Sequence, residues 1–281
     1  MIKKIFLLLM ISPVTVSLFA QNTTTNSKDT TLSAREIKRN ERKEKIDKLI
    51  KLEEEGAMVF SKQTAWGVKL NTDGWGFIYE HGKYKTITKT NVWWLQFDER
   101  KSPKEEKVST GQDFGGGFLL IGNPFVFGKQ NNFYSLKAGL GQQRLIGGKG
   151  NKNGVAVSAI YGAGISLGYL KPYYIAVRDT ASGGIIDIKY SDATANTFLD
   201  PTAITGGAGF GKGFSEGSFV PGVQARLALR FDYGRFKELL SAIEVGVNAE
   251  YYTKEMPIMV DNPAKKFFFN GYIAFEFGKR K

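Results

Sequence analysis

The chain has 281 residues, with 39 Lys and Arg against 27 Asp and Glu, a single His and no Cys. Without cysteine there is no disulfide staple and no thiolate for metal or nucleophilic work, and one histidine argues against a zinc site. The formal charge of +12 would suit a nucleic acid, but the opening residues indicate export. The surplus therefore points to anionic lipid headgroups or lipopolysaccharide, or to a solvated basic rim, and no nucleic acid is expected.

Met1-Ile2-Lys3-Lys4 is followed by a nearly continuous apolar run, Ile5 to Phe19. A charged n-region before a short h-region reads as a secretory signal over residues 1–20, cleaved after Ala20. The run is too short for a membrane helix and lacks a stop-transfer flank; an uncleaved anchor is the alternative. Residues 21–60 read as a periplasmic leader. Gln21–Leu32 is Asn/Thr-rich and expected to be disordered. Ser33 to about Glu55 carries mixed charge, with Ser33 and Glu36 spaced as a capping box for a helix. Its apolar cluster is Ile46, Leu49, Ile50 and Leu52, either a stripe for a partner or part of a spacer that touches nothing.

No later segment approaches 18 consecutive apolar residues, which excludes a bundle of membrane helices. Instead residues 61–281 repeat a two-residue period, the mark of strands with one apolar and one polar face. Eight strands are predicted, at about Thr64–Asn71, Gly74–His81, Asn91–Arg100, Asn132–Arg144, Val155–Tyr169, Gly222–Tyr233, Leu240–Tyr252 and Phe267–Phe277. The last two alternate most strictly, with Val245 and Val247, then Ile273 and Phe275, on the apolar face. Thr72-Asp73 makes a tight hairpin with Gly74. Gly147–Gly154 is another turn. The fold class expected is all-β: a closed antiparallel transmembrane β-barrel of about eight strands with a short helical leader. Aromatics at 13% and 33 glycines suit interface girdles and a curved, close-packed wall. With the N-terminus periplasmic, the loops after the first, third, fifth and seventh strands face outside, and three of these four are long. Counts of ten or twelve strands stay open, because Phe118–Val126 and Gly184–Tyr190 could pair.

The inward faces carry Lys69, Lys137, Arg226 and Arg230 with Asp98, Asp232, Glu244, Glu250 and Glu276. In a barrel this narrow such charges should pair and fill the lumen. A pore or transporter would need more strands or a rearranging plug. Catalytic signals are weak. His81 is the one candidate base, on which a lipid-modifying enzyme would depend, and the register brings no serine to it. Glu244 and Glu250 share a face, but inward arginines make them structural. Gly147–Gly150 lacks P-loop spacing, and Gly206–Gly213 lacks a strand-to-helix context. Neither cofactor nor metal is expected.

Three features carry a resemblance: the Phe19-Ala20-Gln21 boundary; the phrase Trp66-Gly67-Val68-Lys69-Leu70-Asn71-Thr72-Asp73-Gly74-Trp75-Gly76; and Gly147-Gly148-Lys149-Gly150-Asn151-Lys152-Asn153-Gly154-Val155. Together with the strand pattern they resemble the small outer-membrane β-barrel proteins of Bacteroidota over about residues 60–281. Asp179-Thr180-Ala181 is similar to the O-glycosylation acceptor signal of exported proteins in that group. The resemblance implies a cell outer-membrane location and a structural or accessory role in a larger secretion or assembly complex. Docking is then expected at Ile46, Leu49 and Ile50 in the leader, and at Phe118, Leu119, Leu120 and Ile121 in the first long loop.

Overall fold

Alternate residues of a strand point to opposite faces, so each two-residue repeat can give one face to lipid and the other to a lumen. The computed structural model describes residues 36–44, 61–86, 88–113, 119–150, 154–179, 183–234 and 239–281. Eight strands close into a barrel: β1 Lys62–Asn71, β2 Gly74–Thr86, β3 Lys89–Arg100, β4 Asn131–Gly147, β5 Ala156–Pro172, β6 Ser218–Asp232, β7 Leu239–Met256 and β8 Lys265–Arg280. Every strand pairs antiparallel with its chain neighbours, and β1 pairs with β8 through Trp66 opposite Phe277, so no edge remains. The strand count expected from the periodicity holds, although most strands run a few residues past their predicted ends. The segments that left larger counts open do pair, but outside the barrel: Leu119–Ile121 with Gly111–Asp113, Phe125–Val126 with Lys107–Val108, and Ile185–Lys189 with Tyr174–Arg178.

The two faces separate sharply. Leu140, Ile165 and Trp66 point outward at 73%, 68% and 59% exposure, while Lys69, Asp98, Lys137 and Glu244 point inward at 0%. Rings ladder across the outer wall near the end that carries the long loops: Phe97 to Tyr134 at 6.0 Å, Tyr134 to Tyr169 at 6.5 Å and Tyr169 to Phe219 at 4.8 Å. Trp66–Phe277 and Tyr79–Trp93 lie toward the other end. Two aromatic girdles bounding an apolar band are what a lipid bilayer selects.

Inside, the wall of β4 and β5 is stripped of side chains so that Trp94 can fill the lumen. A Cβ on Gly162 would sit 2.5 Å from Trp94 Cη2, and Gly139 and Gly141 also abut the indole. Trp94 packs there with Val92, Ile160, Ala228, Tyr272 and Ala274. Nearer the loop end, Phe133, Tyr252, Met256, Leu170 and Val220 form a second apolar plug.

Residues 36–44 form a separate exposed helix. Ser33, the leader cluster Ile46, Leu49, Ile50 and Leu52, and the signal segment lie outside the described residues.

Candidate functional site: a filled lumen beneath a joined cap

Parity delivers nine predicted ionic side chains to the interior, and every one of them is buried. They divide into three groups along the barrel axis. In the group nearest the loops, Arg100 at the end of β3 spans Asp73 at 2.8 Å and Glu250 at 2.5 Å. Lys137 reaches the same Glu250 oxygen at 2.7 Å and also pairs with Asp98, which lies 3.5 Å from Lys69. Tyr252 Oη donates to Glu250 at 2.7 Å, and Asn71 Nδ2 donates to Asp98 at 3.0 Å. Three cations thus face three carboxylates, and neutral donors complete the acceptors, as a low-dielectric site requires.

Deeper in the barrel, two guanidinium groups serve three carboxylates. Arg230 binds Glu80 at 2.7 Å, Glu244 at 2.9 Å and Glu276 at 2.7 Å. Arg226 contacts the same three, with Glu80 at 3.3 Å, Glu276 at 3.8 Å and Glu244 in closest contact. Tyr272 links them, accepting from Arg226 Nε at 2.9 Å and donating to Glu244 at 2.5 Å. The guanidinium of Arg226 also lies 5.2 Å from the Trp94 ring. At the barrel end opposite the long loops, Asp232 pairs with Arg280 and, at 3.2 Å, with Lys149 of the Gly147–Gly154 turn. The lysine of that turn folds back and also donates to Gly234 O at 2.5 Å.

Five charged members of these networks escaped the sequence reading: Asp73, Glu80, Arg100, Lys149 and Arg280. Glu80 shares the inward parity of Gly76 and Ile78 in β2, so the rule that found the others would reach it. Arg100 and Arg280 sit at strand ends, where charge runs mask parity.

The long loops are built structures. Residues 173–217 hold a three-stranded sheet of Tyr174–Arg178, Ile185–Lys189 and Ile204–Gly207, with a short helix Ala195–Phe198. Phe125, Ile175, Val177, Phe198 and Ile204 make its core, so two different loops share one apolar centre. Hydrogen bonds tie these loops to each other, with Thr110 Oγ1 donating to Thr205 O at 2.5 Å and Gly207 N to Asn123 O at 3.0 Å. The loop between β7 and β8 joins them through Gln130 N to Ile258 O at 2.8 Å and Val260 N to Gly128 O at 2.8 Å. The result is a cap of three joined loops. Of the predicted loop contact residues, Leu119, Leu120 and Ile121 lie in one strand of its small hairpin, while Phe118 lies outside the described residues. Asp179 closes the Tyr174–Lys189 hairpin, and Thr180 and Ala181 also lie outside the described residues.

His81 stands on the outer wall, its Nδ1 3.0 Å from Thr64 Oγ1 and its ring 5.9 Å from Trp93. Among the described residues no group of three or more His, Asp and Glu is placed to hold a metal ion.

A closed antiparallel barrel with an apolar, aromatic-girdled outside and an ionic inside is the outer-membrane type, and this chain is an outer-membrane β-barrel. No protein-family model matches it, and no curated protein does. Among solved structures it is similar to Neisserial surface protein A, at 8% identity and a TM-score of 0.40, covering 78% of this chain and 95% of that one. It is also similar to Ail, the attachment invasion locus protein of Yersinia pestis, at 10% identity and a TM-score of 0.36, covering 79% and 100%. A third is the N-terminal β-barrel domain of Pseudomonas aeruginosa OprF, at 10% and 0.31, covering 78% and 98%.

Proposed function

We propose that this chain is a non-enzymatic, non-conducting barrel that serves as a structural or accessory subunit of a larger outer-membrane secretion or assembly complex, of the Bacteroidota kind its sequence resembles. In this reading residues 1–20 are the export signal, residues 21–60 the periplasmic leader and residues 61–281 the membrane domain. The partners are outer-membrane lipid or lipopolysaccharide and a larger protein complex.

One observation carries the reading: the lumen is occupied by mutually paired side chains, from the Asp73–Arg100–Glu250 chain to the Arg226–Arg230 cluster. Opening a solute path would separate buried charges, each costing several kcal/mol to strand. A barrel with a filled lumen, whose one histidine stands on the outer wall against Thr64, offers its cap and its leader for contact. Ile46, Leu49 and Ile50 dock the periplasmic side of the complex, and Phe118–Ile121 the external side.

Two measurements test this. In planar bilayers the purified chain should give no steady channels; reproducible unitary conductance contradicts the reading. Deleting Ser33–Glu55 should leave barrel insertion intact while partners co-isolated from solubilised membranes are lost. Unchanged co-isolation removes the leader from the docking role.

A further inference from the structure

The cap overhangs the outer wall of the barrel on one side. Beneath it lies a cleft of about 420 Å³, floored by Glu99, Asn132 and Tyr134 at the tops of β3 and β4 and roofed by loop residues 123–126 and 207–212. Lys101, Lys107, Lys129, Lys171 and Lys212 line it against two carboxylates, Glu99 and Glu105. Three of these lysines are engaged: Lys129 with Glu105 at 2.5 Å, Lys212 with Asp187, and Lys171 with Phe210 O. Glu99 in turn accepts from Trp75 Nε1 at 2.6 Å. Lys101 and Lys107 are exposed and have no ion-pair partner among the described residues.

Depth gives the cleft its meaning. Its floor residue Tyr134 belongs to the ring ladder Phe97–Tyr134–Tyr169–Phe219, the girdle that marks the outer interface. A basic cleft directly above that girdle, opening on the lipid-facing wall, sits where phosphate groups of the outer leaflet lie.

We propose that this cleft binds a phosphate-bearing lipid headgroup, with Lys101 and Lys107 as the cations that meet the phosphate and Tyr173 and Tyr174 on the cleft wall beside it. The engaged lysines hold the cap loops in place around it. The inference rests on the reading of the chain as a lipid-embedded barrel and supplies the lipid class that this reading leaves open.

The test uses the full chain in phosphatidylcholine nanodiscs doped with diphosphoryl lipid A or with the same lipid dephosphorylated, counting lipid retained by native mass spectrometry. The wild type should retain the phosphorylated lipid about tenfold over the dephosphorylated one, and 0.5 M salt should erode the difference. Lys101→Gln with Lys107→Gln should abolish the preference, while Lys101→Arg with Lys107→Arg should keep it; heat-modifiable gel migration reports folding of both. Equal retention of the two lipids by the wild type, or an undiminished preference in the Gln variant, overturns the proposal. Titrating inorganic pyrophosphate into lipid-A-free discs separates the sources: micromolar binding assigns the site to free phosphate anions, and binding only above millimolar concentrations to the lipid. Failure to enter nanodiscs at all would instead contradict the barrel reading beneath it.

Discussion

Arg230 shows how single residues hold this lumen together. Among the described residues it is the one group that contacts Glu80, Glu244 and Glu276 all within 3 Å. Replacing it by Met leaves three buried carboxylates around one guanidinium, the situation that costs about 3–5 kcal/mol. We expect Arg230→Met to lower the urea midpoint of the vesicle-inserted barrel accordingly. Glu276→Gln should cost far less, because it removes the carboxylate in excess of the two cations; equal losses would contradict the charge balance described. Trp94 makes the complementary point about volume. Its indole fills space left by Gly139, Gly141 and Gly162, so Gly162→Leu should cost about 1–3 kcal/mol by overpacking in the same unfolding measurement. Legibility at this scale followed parity. Lys69, Lys137, Arg226 and Glu244 were readable because each is a charge on the inward beat of an apolar-out run. Trp94 shares the inward beat of Gln96 and Asp98, so parity turns its ring into the lumen; what parity alone does not show is the room for it, left by the glycines of β4 and β5.

Among the elements, the barrel strands and the cap differ in how they declare themselves. A strand that spans lipid must alternate, so the predicted β7 and β8 start within two residues and end within four of the observed strands. The cap strands Tyr174–Arg178 and Ile204–Gly207 are only 5 and 4 residues long, and they earn their order from a core assembled across loops. No local period encodes that, which is why these loops read as Gly-rich connections. Phe198 is fully buried at the centre of that core. Phe198→Ala should remove about 3–5 kcal/mol of packing. Limited proteolysis should then cut within residues 174–216 while the barrel stays resistant; an equally resistant cap would show that its core is not what holds it.

The cap also has a pH-dependent contact. Glu216 accepts from Lys189 Nζ at 2.5 Å and from Tyr174 Oη at 2.8 Å, and these bonds, the lysine's foremost, hold its carboxyl below the ordinary range. A carboxyl depressed on folding contributes above its unfolded value and loses that contribution as pH falls through its folded one. The protection of amides across Ile185–Lys189, with the intrinsic pH dependence of exchange divided out, should therefore hold from about pH 8 down to about pH 5 and fall below about pH 4. An onset near neutrality would contradict this assignment.

For the whole molecule, one arrangement explains composition, pairing and charge together: greasy residues outward along every strand, ions inward, ends sealed by pairing β1 to β8. The absence of cysteine from the chain makes this directly testable, since any introduced thiol is unique. Nitroxide labels placed one at a time by Ile243→Cys through Tyr251→Cys in vesicle-inserted protein, read by collision with oxygen and with a water-soluble nickel chelate, measure the arrangement most directly. Odd positions should show high oxygen and low nickel access and even positions low access to both, with a period of two. Loss of that alternation, or nickel access at Val245 and Val247, would contradict a lipid-facing wall around a filled lumen.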